Sequence, residues 1–168
     1  GNDLSIVAGG GNTNINAADP FATTSDSASV GWNLILAALI AGTSVTVTTT
    51  ASGGPAQNGD INVMTDLDYN GIGTGKSLTL TAIGDITFSN KIFDSSGTDD
   101  ILNLNLNSGG AIAFNASGNV ISGNLVASTL NGVGGNFTIG SVADLSVTGT
   151  GSSSITAFDF VFDATLNF

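Results

Sequence analysis

Between Ser77 and Phe88 the chain reads SLTLTAIGDITF. Leu78 and Leu80 alternate with Thr79 and Thr81, so a strand here carries its leucines on one face and its threonines on the other. Gly84-Asp85 permits a corner, and alternation resumes with Ile86 and Phe88. The phrase recurs: Leu104 and Leu106 precede Ile112 and Phe114, and Phe137 and Ile139 precede Leu145 and Val147. In these three copies the second apolar residue of one strand leads the first of the next by six positions. Anchored on Ile61, Ile86, Ile112 and Leu145, the spacing is 25, 26 and then 33 residues. Short alternating strands, glycine corners and a near-constant period predict a β-solenoid, whose stacked coils bury one continuous apolar column. A β-sandwich would show hairpin turns between neighbouring strands and no such register.

The remaining segments fit around these copies. Residues 1–18 hold two short alternating pieces, DLSIVAGG and NTNINA, before a polar loop over 19–29. The apolar stretch Trp32 to Ala41 reads as a plug in the core; so short a run does not separate helix from strand. Val45 and Val47, alternating with Thr46, Thr48 and Thr50, predict a strand. Residues 118–135 read as a weaker coil, and 157–168 alternate to the last position. The block 1–168 is therefore expected to be one all-β unit of roughly six coils of about 25–33 residues. The loops 19–30, 51–58 and 93–100 are the expected places of contact with other molecules.

Composition sharpens this picture. The chain has 24 Gly, all 13 of its acids are Asp, and Lys76 and Lys91 are its only bases. Asp, Asn, Gly, Ser and Thr favour turns and strand surfaces over helix interiors. A net charge of −11 argues against nucleic acid, whose phosphates need cations opposite them, and against docking on an anionic membrane. The longest apolar run is too short to span a bilayer as a helix. With no Cys, repetitive packing rather than cross-links must hold the fold.

Candidate chemistry is sparse. Without His or Cys the usual nucleophile–base pairs are missing, so an enzyme is not expected. Adjacent Asp99 and Asp100 could be pictured as a glycosidase pair, but Ser-Gly-Thr-Asp-Asp is a common polar turn. Asp66, Asp68 and Asn70 with Gly71 spell D-x-D-x-N-G, the opening of a calcium loop, and are the candidate metal ligands. Ser77 stands where the full loop needs a bidentate Glu, which leaves a partial calcium site or a plain Asx turn. Asp60, Asp85 and Asp144 recur just before an apolar pair, with Ala111 breaking the row, and are read as corner caps rather than a cation ladder. Thr46/Thr48 and Thr79/Thr81 suggest outward threonine rows, which Asn103/Asn105 and Ser146/Thr148 interrupt, so a flat ice-binding array is not expected. The C-terminal alternation ending in Phe168 is similar to the last strand of an outer-membrane barrel, but the aromatic girdles of one are missing.

The two ends suggest a seam. Joining Phe168 to Gly1 of another copy would make Leu166 lead Leu4 by six positions, as in the repeat, with Asp3 before the apolar pair. No polar cap is recognisable at either terminus, although open solenoid ends normally need one. The expectation is a block that repeats in tandem or stacks end to end with copies of itself.

ALIAGTSVTVTTT (38–50), GDINV (59–63) and SLTLTAIGDITFSNKI (77–92) together resemble the repeat grammar of large secreted bacterial adhesins of the filamentous-haemagglutinin type. The resemblance is strongest over 31–120 and weaker over 121–168 and 1–18. It implies a right-handed parallel β-helix, export to the bacterial cell surface, and a role in adhesion or in a surface fibre. It implies partners among host or neighbouring-cell glycans or proteins, and supplies no ligand, since these are scaffold phrases. The competing reading is a discrete carbohydrate-binding or carbohydrate-cleaving β-helix. An aromatic groove would favour that reading, but Trp32 and Tyr69, the only Trp and Tyr, lie in different segments.

Overall fold

The structure, a computed structural model, describes residues 1–49, 57–97, 99–163 and 165–168. The chain opens with β1 (Leu4–Val7), β2 (Asn12–Thr13), β3 (Phe21–Ala22) and β4 (Ala28–Gly31), then the helix α1 (Trp32–Ala41). A regular path follows, in which each coil contributes one strand to each of three faces. The first such coil is β5 (Ser44–Thr48), β6 (Ile61–Val63) and β7 (Leu67–Asp68). The second is β8 (Lys76–Ala82), β9 (Ile86–Phe88) and β10 (Ile92–Phe93). The third is β11 (Leu102–Ser108), β12 (Ile112–Phe114) and β13 (Asn119–Ile121). The fourth is β14 (Leu125–Ser128), β15 (Asn136–Ile139) and β16 (Asp144–Val147). The last is β17 (Ser154–Thr156), β18 (Asp159–Phe162) and β19 (Thr165–Asn167).

Face one runs β3-β5-β8-β11-β14-β17, face two β2-β4-β1-β6-β9-β12-β15-β18, and face three consists of β7-β10 and β13-β16-β19. Within these stacks the pairing between coils is parallel, and the whole is a β-solenoid of about six turns. The register on face two aligns Ile61, Ile86, Ile112 and Phe137. Their spacing is thus 25, 26 and 25 residues. The third copy of the phrase lies one face further on than the other two. Leu80 to Ile86 and Leu106 to Ile112 step from face one to face two, whereas Ile139 to Leu145 steps from face two to face three. Both corners accept the same six-residue step, which is why the last interval read as 33 rather than 25.

Alternation does what the pattern requires. Leu4, Ile6, Ile61, Val63, Ile86, Phe88, Ile112, Phe114, Phe137 and Ile139 are all fully buried. Each such side chain contributes on the order of 1.5–3 kcal/mol. Phe88 and Phe114 stack with ring centroids 4.4 Å apart, and Phe114 leans on Phe137 at 5.9 Å. The threonine rows of face one continue as Thr46, Thr79, Asn105 and Val126; Ser146 and Thr148 belong to face three and interrupt nothing there.

Face three is broken between β10 and β13, and two buried polar side chains bridge the break. Asn119 accepts from Ile92 N at 3.1 Å and donates to Ala116 O at 2.6 Å and Asp144 O at 2.9 Å. Tyr69, fully buried, donates to Val120 O at 2.8 Å and accepts from Ser122 N at 3.2 Å. Each takes up backbone groups that a regular ladder would have paired.

The N-terminal end is closed, contrary to the expectation of an end without a cap. β1 lies between β4 and β6, so the chain crosses back over its own first strand. β2 then pairs antiparallel with β4, and Asn16 N donates to Ala22 O at 2.9 Å, so residues 12–16 cover the outer edges of both β4 and β3. Asn12, Thr13 and Asn14 in this cover are exposed. α1 covers the end of face three: Trp32 Nε1 donates to Asp68 O at 2.9 Å, and Ile35 and Leu39 are buried in the core. Ala- and Leu-rich sequence favours the helix here. Its end is held by Lys76, whose Nζ donates to Ile40 O and Gly42 O, a cation placed where the helix dipole is negative.

The proposed seam does not follow the solenoid path. β19 lies on face three beside β16 and β1 on face two, so joining them would omit face one. Among the described residues no helix is long and apolar enough to cross a membrane. Of the loop 51–58, residues 51–56 lie outside the described residues, as do Thr50 and Thr98.

Asn119→Leu keeps the branched shape but leaves Ile92 N, Ala116 O and Asp144 O without this partner. It should lower stability by roughly 1–3 kcal/mol for each orphaned group, read as a lower urea midpoint at constant m-value.

Candidate functional site

Three places on the solenoid gather side chains of chemical interest: an acidic loop, a row of corner aspartates and the C-terminal end. The acidic loop arises because β7 and β10 pair in register, Leu67 opposite Ile92 and Asp68 opposite Phe93, which stacks the loops that follow them. Asp68 Oδ1 accepts from Asn70 N at 3.0 Å, an Asx turn, and from Ser95 N of the next coil at 3.1 Å. Asp66 Oδ1 accepts from Asn90 Nδ2 at 3.3 Å, and Asn70 is exposed. The carboxylates of the D-x-D-x-N-G segment are therefore hydrogen-bonded to the neighbouring coil.

A second set of acids converges beside them. One oxygen from each of Asp94, Asp99 and Asp100 lies within 4.8 Å of the others. Ser96 Oγ stands between them, 2.7 Å from Asp99 Oδ1, 2.9 Å from Asp94 Oδ1 and 3.4 Å from Asp100 Oδ2. Asp100 is buried and accepts from Gly71 N at 2.9 Å and Gly73 N at 2.6 Å, so it pins the loop of the coil before it. Asp99, next to it in sequence, is exposed, and the Ser96 hydroxyl holds its carboxyl below the usual range. Asp94 is not singled out from the sequence, although its bonds run to Ser96 only two residues on. The only local sign was the density of Asp and Ser over 94–100.

The corner row is Asp3, Asp60 and Asp85, with Ala111 next. Asp3 Oδ1 accepts from Gly59 N and Asp60 N at 2.8 and 2.9 Å. Asp60 Oδ1 accepts from Asp85 N at 2.8 Å, and Asp85 Oδ1 from Ala111 N at 2.7 Å. Each carboxylate caps a backbone N–H of the next coil. The glycines belong to the same device: a Cβ on Gly84 would collide with Asp60 Oδ1, and one on Gly110 with Asp85 Oδ1. Asp144 belongs to a different corner, on face three, where it accepts from Gly118 N at 2.8 Å and Asn119 N at 3.1 Å.

Among the described residues nothing covers the C-terminal end as residues 12–16 cover the other. β17, β18 and β19 are the last strands of their sheets. Phe160 aligns with Phe137 and Phe162 with Ile139, so both occupy columns that are buried in every earlier coil. Here they are 44% and 47% exposed, and Phe158 and Phe168 are exposed beside them. The rings stay in contact with the column, Phe160 at 6.4 Å and Phe162 at 6.5 Å from Phe137. Trp32 and Tyr69, by contrast, are buried and present no stacking surface. Compared with protein families, curated proteins and solved structures, the chain matches none.

The Asp68 carboxyl gives a test of the loop. Burial alone would raise its pKa, but the Ser95 hydroxyl and N–H, the Asn70 N–H and Lys91 together outweigh that and hold it lowered. A carboxyl lowered by folding stabilises fully above its unfolded value, about 4, and that stability is lost as the pH falls through the folded value. Thermal unfolding from about pH 6 to about pH 2 should therefore show a decline below about pH 4 that is shallower in Asp68→Asn.

Proposed function

We propose that this chain is a length of a non-enzymatic, extracellular β-solenoid fibre of a bacterial cell surface, serving as a stiff scaffold for adhesion. The observation that carries the reading is the C-terminal coil, whose edges are unpaired and whose Phe160 and Phe162 sit half-exposed in columns that are elsewhere buried. An apolar end with three strand edges is a surface that further coils of the same grammar would complete. The closed N-terminal end favours growth of the rod in one direction and disfavours head-to-tail stacking of separate copies. Stiffness follows from parallel pairing that runs along the axis from β5 to β17 on face one and from β6 to β18 on face two.

Negative-stain electron microscopy of native material, with a denaturing gel beside it, tests this. Each unit of about six coils should add about 30 Å of axial length at 4.7–4.9 Å per coil. The expected outcome is thin rods from chains far larger than 16.5 kDa. Rods built from 16.5 kDa chains would instead make assembly of copies the origin of the fibre, and compact single particles would defeat the fibre reading.

A further inference from the structure

The corner between faces one and three carries a cleft of about 270 Å³. Its floor is backbone, because Gly123, Gly149 and Gly151 line it and a Cβ on any of them would collide with the coil beneath. Its polar walls are the side chains of Asn103, Ser122, Asn124, Thr148 and Thr150, and Ile101 supplies an apolar edge. In a chain with 13 carboxylates, none lines this cleft.

The two amides are fixed by the backbone. Asn103 Oδ1 accepts from Asn124 N at 2.8 Å, and Asn124 Oδ1 accepts from Gly151 N at 3.1 Å. With both oxygens committed, the Nδ2 groups remain as donors, and no described residue accepts from either. Ser122 Oγ accepts from Leu102 N at 3.0 Å and its hydroxyl is turned to the Tyr69 hydroxyl, so it holds the wall in place. The Thr148 hydroxyl donates to Ile121 O at 3.5 Å, so the cleft is an uncharged site whose donors are the two amides and the Thr150 hydroxyl. It opens beside the outer surface of face one, where exposed Val126 is followed by the uncharged hydroxyls and amides of Asn105, Asn107, Thr79, Thr81, Thr46 and Thr48.

We infer that this cleft binds one sugar ring of a neutral glycan, with the rest of the polymer lying across face one. A sugar offers several acceptor oxygens and an apolar C–H face for Ile101. The net charge of −11 opposes an anionic ligand of the same size. The volume lies just under the range of about 300–1,000 Å³ typical for drug-sized ligands, which suits a single ring. This site gives the adhesive role a ligand class, and it stands or falls apart from the fibre itself.

The test is an NMR titration of the full chain with neutral hexasaccharides of glucose, mannose and galactose, and with hexagalacturonate as a charged control. Neutral sugars should shift the amide resonances of Ser122, Asn124 and Gly151. Asn124→Asp keeps the oxygen that accepts from Gly151 N and replaces the donor by a carboxylate oxygen, so affinity should fall about tenfold or more at unchanged Tm. Should that variant melt lower, Thr150→Val serves in its place, since among the described residues nothing bonds the Thr150 hydroxyl. Silence from every neutral sugar, tighter binding of hexagalacturonate, or full affinity in the variant would overturn the site. Rods without glycan binding would remove the cleft and spare the fibre; binding without rods would do the reverse.

Discussion

The fold depends on one constraint: each coil must meet the next with its backbone donors and acceptors in register, at a spacing of about 4.7–4.9 Å. Along the straight faces the strands manage this themselves. At corners the backbone turns away, and side chains must take over. Asp3, Asp60 and Asp85 do so at one corner, Asn103 and Asn124 at another, and Asn119 spans the break in face three. The short polar residues that dominate the composition are in this sense structural, because Asp and Asn are short enough to reach one coil and no further. Glycine beside them leaves the room that a carboxylate from below occupies.

That division explains what could be read from the sequence. The straight faces were legible because alternation is local: Leu78 and Leu80 face inward whatever the rest of the chain does. The Gly-Asp corners were legible for the same reason. The phase of the third copy was not, since Phe137–Ile139 and Leu145–Val147 satisfy the same six-residue step at a different corner. Nor was the position of β1, because an alternating LSIV carries no mark of the strands it will lie between. Asn119 lies in the stretch 118–135 that reads as a weaker coil, while in space it is fully buried and bonded to three segments.

The candidate site was legible only in part. D-x-D-x-N-G named one loop, while the acids that converge beside it, Asp94 and Asp100 with exposed Asp99, belong to the coil above it. In a solenoid the neighbours of any residue lie about 25 positions away, so a motif written along the chain describes half of a site. The neutral cleft makes the same point, since its walls come from three successive coils. Its polar residues are unremarkable in sequence and acquire chemistry only by stacking.

The closed N-terminal end has a consequence for how the molecule orders itself. In a stack where each layer rests only on its neighbours, the layer that buries the most surface without help is the natural template for the rest. Here that layer is the one where α1, the returning β1 and the antiparallel cover meet. Ordering of the described coils would then spread as a zipper from this layer toward β17, β18 and β19.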